Sequence, residues 1–532
     1  MKTLARLAAG GLALGILVFS ASAAPAAEAG STNGSVFYEI FVRSFQDSNG
    51  DGVGDLPGLL SRLDELNDGR PETTTDLGVD GIWLMPVFKS PSYHGYDTTD
   101  YETINPDYGT NEDFTRLCEA AHRRGMKVII DLVVNHTGAG HPWFVDSASS
   151  PSSPRRDWYV WKGSDPGWRQ PWGGNNPTWH PSRYGYYYGV FWSGMPDLNL
   201  RNPDVRREME RIAELWLSRG ADGYRLDAAR HAVEDGPGQA QVDTPETHAF
   251  WKEFAEHLRR VRSDVILVGE NWSETPVIAS YYRDLPMNFD FPLAEAIVRG
   301  VDAGDGAGIA AKLAEVQAVY PPGAVDAPFL TNHDQIRAAT KLGNSPAKLK
   351  NAAAILLTLP GTPFLYYGEE IGLQNGPGGD DKEKRTPMPW SATSGGGFTT
   401  GRPWHSFAPG RDAANLALQK NDPSSLDSRY RSLIRARKSS GALSGGTLEI
   451  LPLPAGKSPV LAFVRKSAGE TVLVLHNLSD AKASAGPYSG LGAPGERLFC
   501  DAGVTVEVDG AGIAASLAPR ATAIVRLGPR RN

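Results

Sequence analysis

Short apolar runs recur along the chain, separated by longer stretches in which apolar residues return every third or fourth position. The runs cover residues 36–42, 81–87, 127–134, 223–227, 265–269, 287–293, 327–330 and 364–367. Each has the length and near-continuous apolar character of a strand buried on both faces. Met209, Ile212, Ala213 and Trp216 give one example of the helical spacing between them. Eight such strands with intervening helices predict an α/β protein built on a closed (β/α)8 barrel, the TIM type. An open doubly wound sheet would want a glycine-rich phosphate loop after its first strand, and none occurs there.

Two departures from the alternating pattern predict further parts. Residues 137–199, between the third strand and the next helix, are rich in Trp, Tyr, Gly and Pro. So long an interruption of a compact domain is usually functional, and it predicts an inserted domain over one side of the barrel rim. A second long loop covers 374–402 and is glycine-rich and charged. Leu426, Tyr430, Leu433 and Ile434 predict the helix that closes the barrel. From about Ser444 the pattern turns to short alternating strands with Gly and Pro turns, which predicts a C-terminal antiparallel β-sandwich over 444–532. The barrel itself is then expected over 31–136 and 200–443.

Residues 1–30 read as an address rather than as structure. Lys2 and Arg6 precede an apolar run over 8–19, too short to span a bilayer, with small residues at Ala21–Ala23 and Ala24–Ala26 suited to cleavage. A secreted or periplasmic protein, free of the membrane once the signal is removed, is expected. The 532-residue chain is 41% hydrophobic, ample for a core without a disulfide framework. It has two cysteines. Cys118 shares a helical face with Phe114, Leu117 and Ala121, and both thiols are expected to be free. A net charge of −8 without a basic block argues against nucleic-acid binding.

The chemistry is carried by three stretches: GYRLDAARH (223–231), LVGENW (267–272) and FLTNHDQ (329–335). Each starts as a strand-like run and ends in a carboxylate: Asp227, Glu270 and Asp334. A parallel barrel that delivers carboxylates to one rim has the equipment of glycoside hydrolysis, in which two carboxylates flank the scissile bond. Arg225, two residues before Asp227, points to the same side of its strand and would hold that carboxylate ionised. Glu270 would have its pKa raised by the like charges of Asp227 and Asp334. A second constellation is DSNGDGVGD (47–55). Asp47, Asn49 and Asp51, with Gly52 for the turn, open like an oxygen-rich calcium loop, but Gly58 stands where an EF-hand needs its last glutamate.

With these stretches DLVVNHT (131–137), MPDLN (195–199), GTPFLYYGEEIG (361–372) and RTPMPW (385–390) complete a specific pattern. The chain resembles the α-amylase family of glycoside hydrolases from about Val36 onward, and MPDLN resembles a subgroup lying between oligo-1,6-glucosidases and neopullulanases. The resemblance implies a (β/α)8 barrel with an insertion after strand three and a C-terminal sandwich. It implies a retaining α-glycosidase acting on starch, glycogen or maltooligosaccharides; a monomer is expected. Asp227 would be the nucleophile, Glu270 the acid and then the base, and Asp334 a ligand of sugar hydroxyls. His136 and His333 would donate to hydroxyls, and Tyr96 would stack beneath the sugar ring. Arg230 and His231 would hold the leaving side. Arg230 stands where relatives carry Lys, and Ala228 stands where specialists for α-1,6 bonds often carry Val. The resemblance also implies one structural Ca²⁺ held by Asp47, Asn49, Asp51, the Val53 carbonyl and Asp55. Asp131 is expected to be structural, and Asn135 to serve the domain junction or calcium. An α-glucosidase, an oligo-1,6-glucosidase or a neopullulanase-type transglycosylase is the enzymatic alternative. A non-catalytic glucan-binding protein would be expected to have lost a carboxylate, and none is missing.

Overall fold

The computed structural model describes residues 32–454 and 456–528. The expected export signal lies outside them. Eight parallel strands form the central sheet: β1 (Phe37–Ile40), β2 (Gly81–Leu84), β3 (Lys127–Leu132), β4 (Gly223–Leu226), β5 (Ile266–Gly269), β6 (Met287–Phe289), β7 (Val325–Ala327) and β8 (Phe364–Tyr366). They pair in chain order, and β8 returns to pair with β1. The last seam closes just beyond β7, where Phe364 N donates to Pro328 O at 2.9 Å and Phe329 bridges Phe364 in parallel.

Period-two alternation decides what fills the barrel and what faces the helices. Phe37, Trp83, Ile129, Val268, Phe289 and Phe364 point inward and pack as one aromatic-rich cluster. Their neighbours Tyr38, Ile82, Ile130, Tyr224 and Leu267 point outward into the larger core beneath the helices. Those helices are α1 (Leu56–Ser61), α2 (Asn111–Arg123), α3 (Pro203–Ser218), α4 (Pro245–Val261), α5 (Thr275–Tyr281), α6 (Phe291–Ala303), α7 (Gly306–Val319), α8 (Pro346–Thr358) and α9 (Leu426–Lys438). α9 buries Leu426, Tyr430, Leu433 and Ile434, as the spacing predicts.

Several strands are shorter than their apolar runs. The run over 287–293 yields only three strand residues. Asp290 then accepts from Leu293 N at 2.9 Å as a helix cap, Pro292 sits in the first turn, and the remaining apolar residues belong to α6. The run over 36–42 ends in a 3-10 turn at Val42–Ser44. The run over 327–330 is shifted: the strand is Val325–Ala327, and Pro328, which has no N–H to give, interrupts the ladder.

The insertion carries a three-stranded antiparallel sheet of Trp161–Lys162, Gly185–Tyr188 and Trp179–Ser182, with its own small core of Trp179, Tyr188 and Val190. Its two ends meet, because His136 bridges Asp197 and Leu198 N donates to Asn135 O at 2.9 Å. Beyond Thr447 a five-stranded and a three-stranded antiparallel sheet share a core that includes Val464, Leu473, Ile513 and Leu517, which makes the C-terminal sandwich. Cys118 is buried on α2 and Cys500 is half-buried, both as free thiols. Among the described residues no helix is long and apolar enough to cross a membrane.

Candidate active site

The alternation that fills the barrel with aromatics changes character at the upper end of the strands. Glu39, Asp131 and Arg225 occupy inward positions two residues above Phe37, Ile129 and Gly223, Asp227 and Glu270 directly follow β4 and β5, and Asp334 stands on the loop that follows β7. They meet at the floor of a cleft of about 880 Å³ that Asp227, Glu270 and Asp334 all line.

Arg225 organises the floor. It is 1% exposed, and Nη1 donates to Asp131 Oδ1 at 2.8 Å and to Asp227 Oδ1 at 2.6 Å, while Nη2 lies 2.6 Å from Glu270 Oε1. One planar guanidinium thus ties three carboxylates from three neighbouring strands. The second Glu270 oxygen accepts from Ala228 N at 2.9 Å. Ala228 has the left-handed φ of 48°, which L-residues avoid, and this turn aims its N–H at Glu270. The Glu270 carboxyl is held above its ordinary range. Burial is the largest cause, Arg225 opposes it, and the charges of Asp227 and Asp334 add to it. The like-charge repulsion expected from sequence is therefore the secondary cause. Burial also pushes the Asp131 carboxyl upward against the pull of Arg225.

Asp334 keeps a third of its side chain open to the cleft and sits between two cations. Arg385 Nη2 donates to Oδ1 at 2.8 Å, and His333 Nε2 lies 3.0 Å from Oδ2. Burial would raise this carboxyl, but His333 and Arg385 hold it well below the usual range. His333 is fully buried with a carboxylate at each ring nitrogen: Glu39 Oε1 at 2.5 Å from Nδ1 and Asp334 at Nε2. Burial alone would lower its pKa, yet Asp334 and Glu39 push it up to about 9, so the ring is an imidazolium at neutral pH. Tyr96 stacks on that ring at 5.6 Å, and its hydroxyl donates to Asp131 Oδ2 at 3.1 Å and faces His333 Nε2 at 2.6 Å.

His136 also lines the cleft. Asn135 Nδ2 is 3.3 Å from its Nδ1, which makes Nδ1 the acceptor and Nε2–H the free donor, and Nε2 has no protein partner. Burial keeps this ring neutral by lowering its pKa. Asn135 also reaches Asp197 at 3.1 Å across the junction with the insertion. His231 lies against Trp172 and Phe191, and burial lowers its pKa to about 3. Arg230 lines the same wall, with its guanidinium turned onto Asp243.

Sequence reasoning missed five contributors. Glu39 and Arg385 flank the His333–Asp334 pair. Trp172 and Trp192, from the insertion, line the cleft with Trp272, and the three are 52%, 53% and 50% exposed. A charged residue inside the apolar run FYEI was the available signal for Glu39, and the RTPMPW motif was the signal for Arg385.

The α-amylase catalytic-domain family, described as "Alpha amylase, catalytic domain", matches residues 39–446. The chain belongs to the α-amylase family. It is a glycoside hydrolase of the α-amylase type. The protein named "Alpha-amylase 3" from Dictyoglomus thermophilum is 42% identical over 449 residues, 84% of each chain. The protein named "Oligo-1,6-glucosidase" from Parageobacillus thermoglucosidasius is 31% identical over 521 residues, 84% of this chain and 90% of the other. The solved structure titled as an alpha-amylase from H. orenii superposes with a TM-score of 0.84 at 41% identity, covering 93% of this chain and 99% of that one.

The loop expected to hold calcium lies after β1, and none of its residues lines the catalytic cleft. Three successive side-chain turns shape it: Asn49 N donates to Asp47 Oδ1 at 3.0 Å, Asp51 N to Asn49 Oδ1 at 2.8 Å and Val53 N to Asp51 Oδ1 at 2.8 Å. Asp55 caps α1 through Gly58 N and accepts from Ser48. Among the described residues no group of three acidic, histidine or cysteine side chains is placed to hold a metal ion. The loop fits a hard cation only as a mixed donor set, with the Asn49 amide oxygen and the Val53 carbonyl beside carboxylates.

Proposed function

We propose that the protein is a retaining hydrolase of internal α-1,4-glucosidic bonds in starch, glycogen or maltooligosaccharides. The observation that carries this reading is the Arg225 guanidinium bonded to Asp227 and Glu270 at the floor of the cleft. Asp227 attacks the anomeric carbon while Glu270 gives its proton to the departing glycosidic oxygen. Water then attacks the glycosyl–Asp227 ester, Glu270 takes the water proton, and Asp227 leaves as a carboxylate. Arg225 keeps Asp227 ionised and oriented. Asp334, held as an anion, accepts from sugar hydroxyls, His136 Nε2–H donates to one, and Tyr96 supports the ring face.

The cleft volume and the exposed faces of Trp172, Trp192 and Trp272 favour a substrate longer than a disaccharide, because flat apolar sugar faces stack on flat side chains. An exo-acting α-glucosidase is the competing reading, favoured by the similarity to a protein named oligo-1,6-glucosidase. Product analysis on soluble starch, pullulan, maltotriose and isomaltose separates them. A fast fall in iodine staining with little free glucose supports internal cleavage. Glucose as sole early product, or isomaltose cleaved faster than maltotriose, rejects it.

We further propose a structural Ca²⁺ in the loop over 47–55, held by Asp47, Asn49, Asp51, the Val53 carbonyl and Asp55. When bound, the ion would cross-link the loop and take no part in the reaction. We also propose, from the signal-like residues 1–30, that the protein is exported, and that it acts as a monomer. Terminal sequencing of the secreted form and light scattering test that part.

A further inference from the structure

The loops that follow β4 and β5 are joined by three rungs. Ala228 N donates to Glu270 Oε2 at 2.9 Å, and Ala229 N donates to Glu270 O at 3.2 Å. The third rung is the only one made by a side chain from the β4 loop: Arg230 Nη1 donates to Trp272 O at 2.7 Å. The opposite edge of that guanidinium is held by a carboxylate. Nε donates to Asp243 Oδ1 at 2.9 Å and Oδ2 at 3.2 Å, and Nη2 donates to Oδ2.

Asp243 is fixed in turn. Its N–H donates to Arg230 O at 2.9 Å, and Tyr281 Oη, at the end of α5, donates to Oδ1 at 2.7 Å. It also has a left-handed φ of 55°, a conformation that persists in a non-glycine residue only where its surroundings hold it. The next residue, Thr244, starts α4 by capping Thr247 N. Arg230, Val242 and Trp272 all line the cleft, and Trp272 lies flat on Phe291 at 4.7 Å.

We propose that Arg230 and Asp243 form a brace that positions the loop carrying Glu270 and Trp272, so that Arg230 acts on the reaction through that loop rather than as a ligand of the leaving sugar. The inference rests on the assignment of Glu270 as the acid. A guanidinium suits the task because its planar fork can hold a carboxylate along one edge and a carbonyl along another. An ammonium carries its three donors on one atom, so it cannot reach partners set on opposite edges as a planar fork does. A shift of about 1 Å at a catalytic group can cost about 100-fold in rate. A brace two residues from Glu270 is therefore read in turnover before it is read in affinity.

The test uses the full chain with Arg230→Lys, Asp243→Asn and the double variant. Kinetics are measured on maltotriose to maltohexaose and on α-maltosyl fluoride, whose leaving group needs no proton. For the brace, each single variant lowers kcat on the oligosaccharides about 10- to 100-fold. KM stays within about threefold, kcat/KM on the fluoride changes little, and the double variant is no worse than the singles. Unchanged kcat with KM rising with chain length in Arg230→Lys, and a silent Asp243→Asn, would make Arg230 a sugar ligand and overturn the brace. Unchanged kinetics in both variants overturns it equally. Tyr281→Phe removes one hydroxyl contact to Asp243 and decides the question if either variant does not fold: a smaller loss of kcat in the same direction supports the brace, and none refutes it. Glu270→Gln is the separate control. If it keeps full oligosaccharide turnover, the acid assignment fails, whatever the brace variants do.

Discussion

Replacing Glu39 by Gln removes one negative charge from the buried face of His333 and leaves the volume almost unchanged. Glu39 is 2% exposed, and His333 is held up to about 9 by two carboxylates, Asp334 and Glu39. An opposite charge this close moves a pKa by about 1–3 units, so His333 in Glu39→Gln should titrate between roughly 6 and 8. Asp334, Tyr96, Arg225 and Arg385 still surround the ring and set where in that window it falls. The sign for stability follows from linkage. A folded pKa above the ordinary 6.5 gives stability that is complete below about pH 6.5 and is lost as pH rises through about 9. The wild type should therefore exceed the variant most at pH 5.5. The gap should shrink by about 1–4 kcal/mol between pH 5.5 and 9.5, at about 1.4 kcal/mol per unit. Histidine-selective NMR titration reads the pKa, and urea unfolding at the two pH values reads the gap. A His333 pKa within half a unit of the wild type, or a gap that does not change with pH, refutes the reasoning.

Asp227→Asn and Glu270→Gln should each lower glucan turnover by several orders of magnitude with the melting temperature kept, and the first product should be the α-anomer; β-product in early NMR spectra sinks the retaining assignment. EDTA should lower the melting temperature and calcium restore it, and Asp51→Ala should give the lower value without chelator, since the proposed ion would stabilise the folded loop by mass action. If calorimetry finds the same midpoint with EDTA as with calcium, the loop is a polar turn. Arg437 is fully buried and donates to the carbonyls of Gly34, Leu357, Leu359 and Gly361. Arg437→Met strands several of them, and at about 1–3 kcal/mol per unsatisfied group the loss should exceed about 3 kcal/mol in urea unfolding.

Asp227 and Glu270 were legible because strand and carboxylate are adjacent in sequence, and Asp334 because its motif follows a strand signal, although the strand itself ends earlier, at Ala327. Glu39 was not legible. Its meaning comes from His333, 294 residues away, and a glutamate in a four-residue run reads as alternation toward solvent. Arg230 was legible as a multi-donor cation beside the nucleophile, and it does line the cleft. Its pairing with Asp243 was not legible, because sequence does not show that a left-handed turn there carries a carboxylate back to it. Strand lengths were overestimated wherever apolar residues continued into a helix, as at Phe291, because hydrophobicity marks burial and not backbone conformation. The exposed tryptophans of the cleft were hidden for the same reason, since composition assigns an aromatic residue to the core.

The His136–Asp197 bridge and the hydrogen bond from Leu198 N to Asn135 O bring the entry and exit of the insertion side by side. A segment whose ends already touch is a cassette: another segment of different length can take its place without moving the strands on either side. Trp172 and Trp192 belong to that cassette, whereas Asp227, Glu270, Asp334 and Arg225 belong to the frame. A graft of residues 137–199 from a relative would thus exchange the tryptophan wall of the cleft while leaving those four charged groups where they stand.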